Sequence, residues 1–79
     1  MNSGGIPLTK AHRGLIAREM GQQGHTQASL ADACKTSQPT IQRILGGHKA
    51  PSWPMLCAIC GVLGLRFAWN GKLSIERET

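Results

Sequence analysis

Seventy-nine residues with 41% apolar side chains suffice for one small core and exclude both a second domain and a deep enclosed active site. Nine Lys and Arg against four Asp and Glu give a formal charge of +5, which attracts polyanions such as nucleic acid or an anionic membrane. The opening Met1-Asn2-Ser3-Gly4-Gly5 leads into no apolar run, and no stretch approaches the roughly 18 apolar residues that cross a bilayer, so a cytoplasmic protein without membrane contact is expected.

In chain order, residues 1–8 read as a flexible arm, since Gly4, Gly5 and Pro7 oppose regular structure. Thr9 is placed to cap a helix from Lys10, with Ala11, Leu15, Ile16 and Met20 at helical spacing and Gly21 and Gly24 ending it. Thr26 caps a second, short helix over Gln27 to Ala33, with Leu30 and Ala31 inward. Cys34-Lys35-Thr36 forms a tight connection. Ser37 caps a third helix, Gln38 to Leu45, with Pro39 in its first turn, where no N–H is needed. Ile41, Ile44 and Leu45 supply its buried stripe, and Gly46-Gly47 ends it. After the basic loop His48-Lys49-Ala50-Pro51, Ser52 caps a fourth helix whose inner face is Met55, Leu56, Ile59, Cys60 and Leu63, stopped at Gly64.

The period then changes from helical to alternating. Leu65, Phe67 and Trp69, then Leu73 and Ile75, read as two strands about Asn70-Gly71. A two-residue loop would set Phe67 and Leu73 on opposite faces. A three-residue loop, Trp69-Asn70-Gly71 with Gly71 left-handed, pairs Phe67 with Leu73 and Leu65 with Ile75 and puts all four on one face. The expected architecture is mainly α: a bundle of four to five short helices over 9–65, followed by a β-hairpin over 66–79.

Cys34, Cys57 and Cys60 are odd in number, which argues against a disulfide framework. Cys57-Ala58-Ile59-Cys60 has the spacing of a metal or redox pair, but no second pair completes four ligands; both cysteines are expected to pack as small apolar residues on a helix, with no metal and no cofactor. No acid–base pair stands out, and His12, His25 and His48 are isolated in sequence. No catalytic residue is named, and no enzyme is expected.

The informative stretch runs from Thr26 to Pro51. Two short helices join through a tight turn, and the second carries Gln38, Pro39, Thr40, Gln42 and Arg43 on its outward side. Those groups suit the DNA major groove: Gln pairs with adenine, Arg with guanine, and Pro or the Thr methyl touches a thymine methyl. Gln27, Ser37, Thr40, His48, Lys49 and the backbone N–H near Gly47 surround them as candidate phosphate ligands.

Thr26-Gln27-Ala28-Ser29-Leu30-Ala31, Ser37-Gln38-Pro39-Thr40-Ile41-Gln42-Arg43-Ile44, Gly46-Gly47-His48-Lys49-Ala50-Pro51-Ser52 and Leu63-Gly64-Leu65 together resemble the XRE helix-turn-helix family of phage repressors and Cro proteins. The resemblance implies a lambda-repressor-like bundle that regulates transcription from double-stranded DNA. It also implies that Gln27 braces against a phosphate, that Gln38, Pro39, Gln42 and Arg43 occupy base-reading positions, and that Lys49 and the Gly47 amide form a phosphate clamp. Two departures stand out. Met20 and Leu45 replace an Arg–Glu pair common in the family, together, so that no single charge is stranded, and they are expected to touch. Lys35 stands where the family usually has Gly, which implies a left-handed residue or an altered turn.

A single such module makes few base contacts. The family's members usually dimerise and place two reader helices in successive major grooves, about 34 Å apart on a near-palindromic site. Phe67, Trp69, Leu73 and Ile75 are expected to form the homodimer contact, the alternative being a hairpin packed on its own helices. Leu63-Gly64-Leu65-Arg66-Phe67 also resembles HipB-type antitoxins, so two functions are carried forward: a dimeric repressor, and an antitoxin that binds a toxin while repressing its own operon.

Overall fold

Each helix begins where a hydroxyl can take an otherwise unpaired amide. The computed structural model describes residues 5–69 and 71–77; expectations that fall on 1–4, Asn70 and 78–79 lie outside them. Among the described residues four helices and one hairpin follow in order: α1 Lys10–Gln22, α2 Gln27–Ala33, α3 Gln38–Leu45, α4 Trp53–Leu63, β1 Leu65–Trp69 and β2 Leu73–Arg77. Thr9, Thr26, Ser37 and Ser52 accept from the backbone N–H three residues on, at His12, Ser29, Thr40 and Met55. Such a cap contributes about 1 kcal/mol. His12, isolated in sequence, completes the first cap by accepting the Thr9 N–H on Nδ1 at 3.2 Å.

The first three helices also end alike. After α1, α2 and α3 the chain turns through one left-handed residue, Gly24 (φ 74°), Lys35 (φ 57°) and Gly47 (φ 81°). The following amides of His25, Thr36 and His48 reach back to Met20, Ala31 and Arg43 carbonyls at 2.8, 2.9 and 2.8 Å. The same closure three times satisfies the last carbonyls of each helix. Lys35 therefore holds the conformation that glycine takes at the other two ends, and the turn between α2 and α3 keeps its shape at the cost of a β-carbon in left-handed space.

Ile16, Leu30, Ile41, Ile44, Leu56, Ile59 and Cys60 form the centre of one core, with Met20, Ala31 and Leu63 beside them. Full burial of an aliphatic side chain of this size contributes about 1.5–3 kcal/mol. Leu45 and Met55 lie half-buried against this core, while Ala11, expected inward, is exposed and Leu15 half-exposed. The buried stripe of α1 is narrower than its spacing suggested: Ile16, Glu19 and Met20, past the first turn, carry it.

Gly5–Leu8, part of the arm expected over 1–8, form no helix or strand but lie against the bundle. Ile6 is buried, its N–H donates to the Pro51 carbonyl at 2.7 Å, and Gly5 lies so close to Ala50 that a β-carbon would stand 2.7 Å from the alanine methyl. Burial of the Ile6 side chain holds this irregular segment on the bundle.

β1 and β2 pair antiparallel, with Leu65 opposite Arg77, Phe67 opposite Ile75 and Trp69 opposite Leu73. The expected partners, Phe67 with Leu73 and Leu65 with Ile75, are thus displaced along the ladder. β1 runs through Trp69 and β2 starts at Leu73, so Trp69 belongs to the strand rather than to the loop, and Gly71 is left-handed as expected at φ 90°. Leu65, Phe67, Leu73 and Ile75 share one face, as expected, and Leu65 and Leu73 are buried in the core. Among the described residues no helix is long and apolar enough to cross a membrane.

Candidate nucleic-acid interface

α3 has two unlike faces. Ile41 and Ile44 are wholly inside, and Gln38, Pro39, Gln42 and Arg43 are exposed. Among the described residues no hydrogen bond engages the side chains of Gln38, Gln42 or Arg43, so an amide, a second amide and a guanidinium stand ready on one short rod. These are the groups that bind base edges in pairs of hydrogen bonds. α2 packs directly on α3 and fixes how far this rod projects.

Thr40 differs from the other four outward residues. It is half-buried, and its Oγ1 lies 2.8 Å from Ser37 Oγ in a shared hydrogen bond. Ser37 Oγ also accepts the Thr40 N–H at 3.3 Å. The two hydroxyls named as DNA ligands thus close the helix start, and one of their two O–H groups is left to donate elsewhere.

Of the other residues expected around α3, Gln27 is the half-buried first residue of α2, and Gly47, His48 and Lys49 are exposed in the loop. The His48 ring folds back over Gly46, 3.0 Å from where a β-carbon would stand. The Gly47 amide is not free: it donates to the Ile44 carbonyl at 3.2 Å. The positive charge of this loop lies on the Lys49 side chain. Lys49 shares with Thr40 the rim of a cavity of about 290 Å³ that reaches Ala50, Pro51 and Ser52.

The charge around α3 is one-sided. No acid occurs between Asp32 and Glu76. Glu19 is turned inward, 3% exposed, where Oε1 accepts from Gln23 Nε2 at 3.2 Å. Arg77 Nε stands 3.2 Å from Glu19 Oε2, close enough for an ion pair but without hydrogen-bond alignment. This buried carboxylate, which sequence spacing did not single out, joins the last strand to α1.

The hairpin residues named for a dimer contact divide. Leu73 is buried within the subunit, so it leaves the proposed contact; Phe67 and Ile75 are half-buried, and Trp69 remains 49% exposed. Trp53, which the sequence reading passed over, is 48% exposed and meets Phe67 edge to face, ring centroids 4.9 Å apart. Its signal was an indole at the first position of a helix, where the inward stripe has not begun. The cysteines divide too: Cys34 and Cys60 are buried, but Cys57, expected inside, is exposed. Burial pushes the Cys60 thiol up to about 11, helped by the neighbouring Cys57, and burial also raises Cys34.

No curated protein and no solved structure matches the chain. The family model described as Helix-turn-helix does match, over residues 16–70, more than half of the sequence. That span holds the α2–turn–α3 pair with its exposed Gln and Arg side chains, and the chain belongs to the helix-turn-helix family of XRE type, DNA-binding regulators of transcription.

Proposed function

We propose that this protein reads a specific double-stranded DNA sequence with α3 and acts as a dimeric repressor on a near-palindromic operator. One observation carries the reading: Gln38, Pro39, Gln42 and Arg43 are exposed together on a helix whose opposite side, Ile41 and Ile44, is anchored in the core. Gln38 and Arg43 are the base contacts, Pro39 meets a thymine methyl, and Thr40 and Gln42 border them. Gln27, Ser37, His48 and Lys49 hold the sugar–phosphate strands on either side.

Two open strand edges and the exposed Trp53 and Trp69 support the dimer. A two-stranded sheet leaves both outer rows of backbone groups unpaired, and pairing with a second copy would satisfy one row while covering the indoles. Repression then follows from occupancy, since a dimer on a promoter excludes polymerase.

Enrichment of bound duplexes from a random pool tests the reading. The expected outcome is two related half-sites about one helical turn apart. Arg43→Ala should weaken binding by about 1–3 kcal/mol and relax one base position. An Arg43→Ala protein that selects the same sequences as the parent would refute the role of α3. Trp69→Glu should give a monomer in analytical ultracentrifugation with weaker operator binding; an unchanged dimer would refute the role of the hairpin.

A further inference from the structure

The loop after α3 rests on a side chain from α1. Arg13 is half-buried, and its Nη1 donates to the Leu8 carbonyl at 2.9 Å. Its guanidinium lies over Gly47: a β-carbon there would stand 3.0 Å from Cζ and 3.2 Å from each Nη. Arg13, Gly47 and Lys49 border one cavity of about 170 Å³, together with Leu8 and Ala50. Phosphate oxygens fit such a space, since a water occupies about 30 Å³. None of the residues around this cavity is acidic, and neither cation forms an ion pair among the described residues.

We propose that Arg13 is a DNA phosphate ligand, and that its guanidinium and the Lys49 ammonium close on one backbone phosphate at this cavity. The proposal rests on the DNA-binding reading above and extends the grip from the loop onto α1. Three observations lead to it. The Gly47 amide already serves Ile44, so the positive charge that meets an anion here comes from side chains. Arg13 uses one N–H on Leu8, and a guanidinium has five, in a planar fork that matches two phosphate oxygens. The tie to Leu8 and the contact with Gly47 order the side chain before any ligand arrives, which lowers the entropy lost on binding. Two cationic residues lining one cavity without a carboxylate are a charge distribution that an anion relieves.

The salt dependence of duplex binding tests this, because each phosphate contact contributes about 0.9 to the slope of log K against log salt. Wild type, Arg13→Gln, Arg13→Lys and Lys49→Gln are titrated with the selected duplex and with a scrambled one over a salt series, and each is melted without DNA. Arg13→Gln is expected to lower the slope by about 0.9 and to weaken both duplexes by about tenfold. Arg13→Lys is expected to keep the slope but not the full affinity, since an ammonium lacks the fork. A lowered melting temperature with an unchanged slope in Arg13→Gln would make Arg13 a structural tie and overturn the proposal. If wild type binds neither duplex, the DNA-binding reading falls with it; if wild type binds and Lys49→Gln lowers the slope while Arg13→Gln does not, this proposal falls alone.

Discussion

The four helices enclose Ile16, Leu30, Ile41, Ile44, Leu56 and Ile59 almost completely, whereas the hairpin sinks only Leu65 and Leu73 and leaves Phe67 and Ile75 half covered. The helical part is also closed at its ends by side-chain caps and left-handed turns. The hairpin instead depends on its neighbours: two leucines on the core, the Trp53–Phe67 contact and the Glu19–Arg77 approach. Two strands alone are only marginally stable. The difference separates a well-enclosed part that holds α3 in position from an attached part that is expected to open at lower free energy.

The largest blow to the well-enclosed part is Ile41→Ala, which empties the core directly beneath the exposed face of α3. The expected loss is about 3 kcal/mol in urea unfolding, within the roughly 2–5 kcal/mol usual for such a cavity. A loss below about 1 kcal/mol would mean that α3 is not anchored as described. On the attached part, Arg77→Ala removes the cation nearest a buried carboxylate. Breaking a fully buried pair costs more, but Arg77 is 60% exposed and solvent screens it, so about 1–2 kcal/mol is expected. Adding Glu19→Gln should recover most of that loss, because a neutral amide keeps an oxygen for Gln23 without the charge. A double-mutant cycle showing no coupling would remove Glu19–Arg77 from the account of how the hairpin is held.

The same division explains what could be read in advance. Caps at Thr9, Thr26, Ser37 and Ser52, the bounds of α2 and α3, and the inward Ile41 and Ile44 depend on residues within four positions of one another, and all were legible. The outward Gln38, Pro39, Gln42 and Arg43 were legible for the same reason. The strand register was not. Pairing Phe67 with Leu73 or with Ile75 puts the same residues on the same face, so hydrophobic alternation does not choose between them. Other features depend on contacts distant in sequence: Gln23 Nε2 reaches the Leu63 carbonyl at 2.6 Å, Glu19 meets Arg77, and Ile6 meets Pro51. Spacing along the chain carries no record of such meetings.

A substitution that strengthens only the helical part should widen the gap. Lys35→Gly places at φ 57° the residue type found at the equivalent ends of α1 and α3. Relief of the left-handed strain is partly offset by the greater freedom of glycine in the unfolded chain, leaving a gain of about 0.5–1 kcal/mol. Hydrogen exchange should show the slowest amides of α2 and α3 slower still, with the exchange of β1 and β2 unchanged. Equal slowing in both parts would mean that they unfold as one unit and that the comparison fails.

Mild alkali provides the smallest and most selective load on the helical part, because Cys60 lies on α4 inside the core. Its thiol titrates near 11 in the folded protein and near 9 when exposed. Between those values the unfolded chain has released a proton that the folded chain retains, so the unfolded state binds fewer protons and stability falls as pH rises. The contribution is intact below about 9 and lost through 11. From pH 8 to 9.5 the loss should be below about 1 kcal/mol, given 1.36 kcal/mol per unit of pKa difference. Buried Cys34 acts in the same direction. Cys60→Ala should flatten this dependence in urea unfolding, although its starting stability differs. If parent and variant lose stability equally over that range, the Cys60 thiol is not shielded from water, and the core beneath α4 is looser than its packing implies.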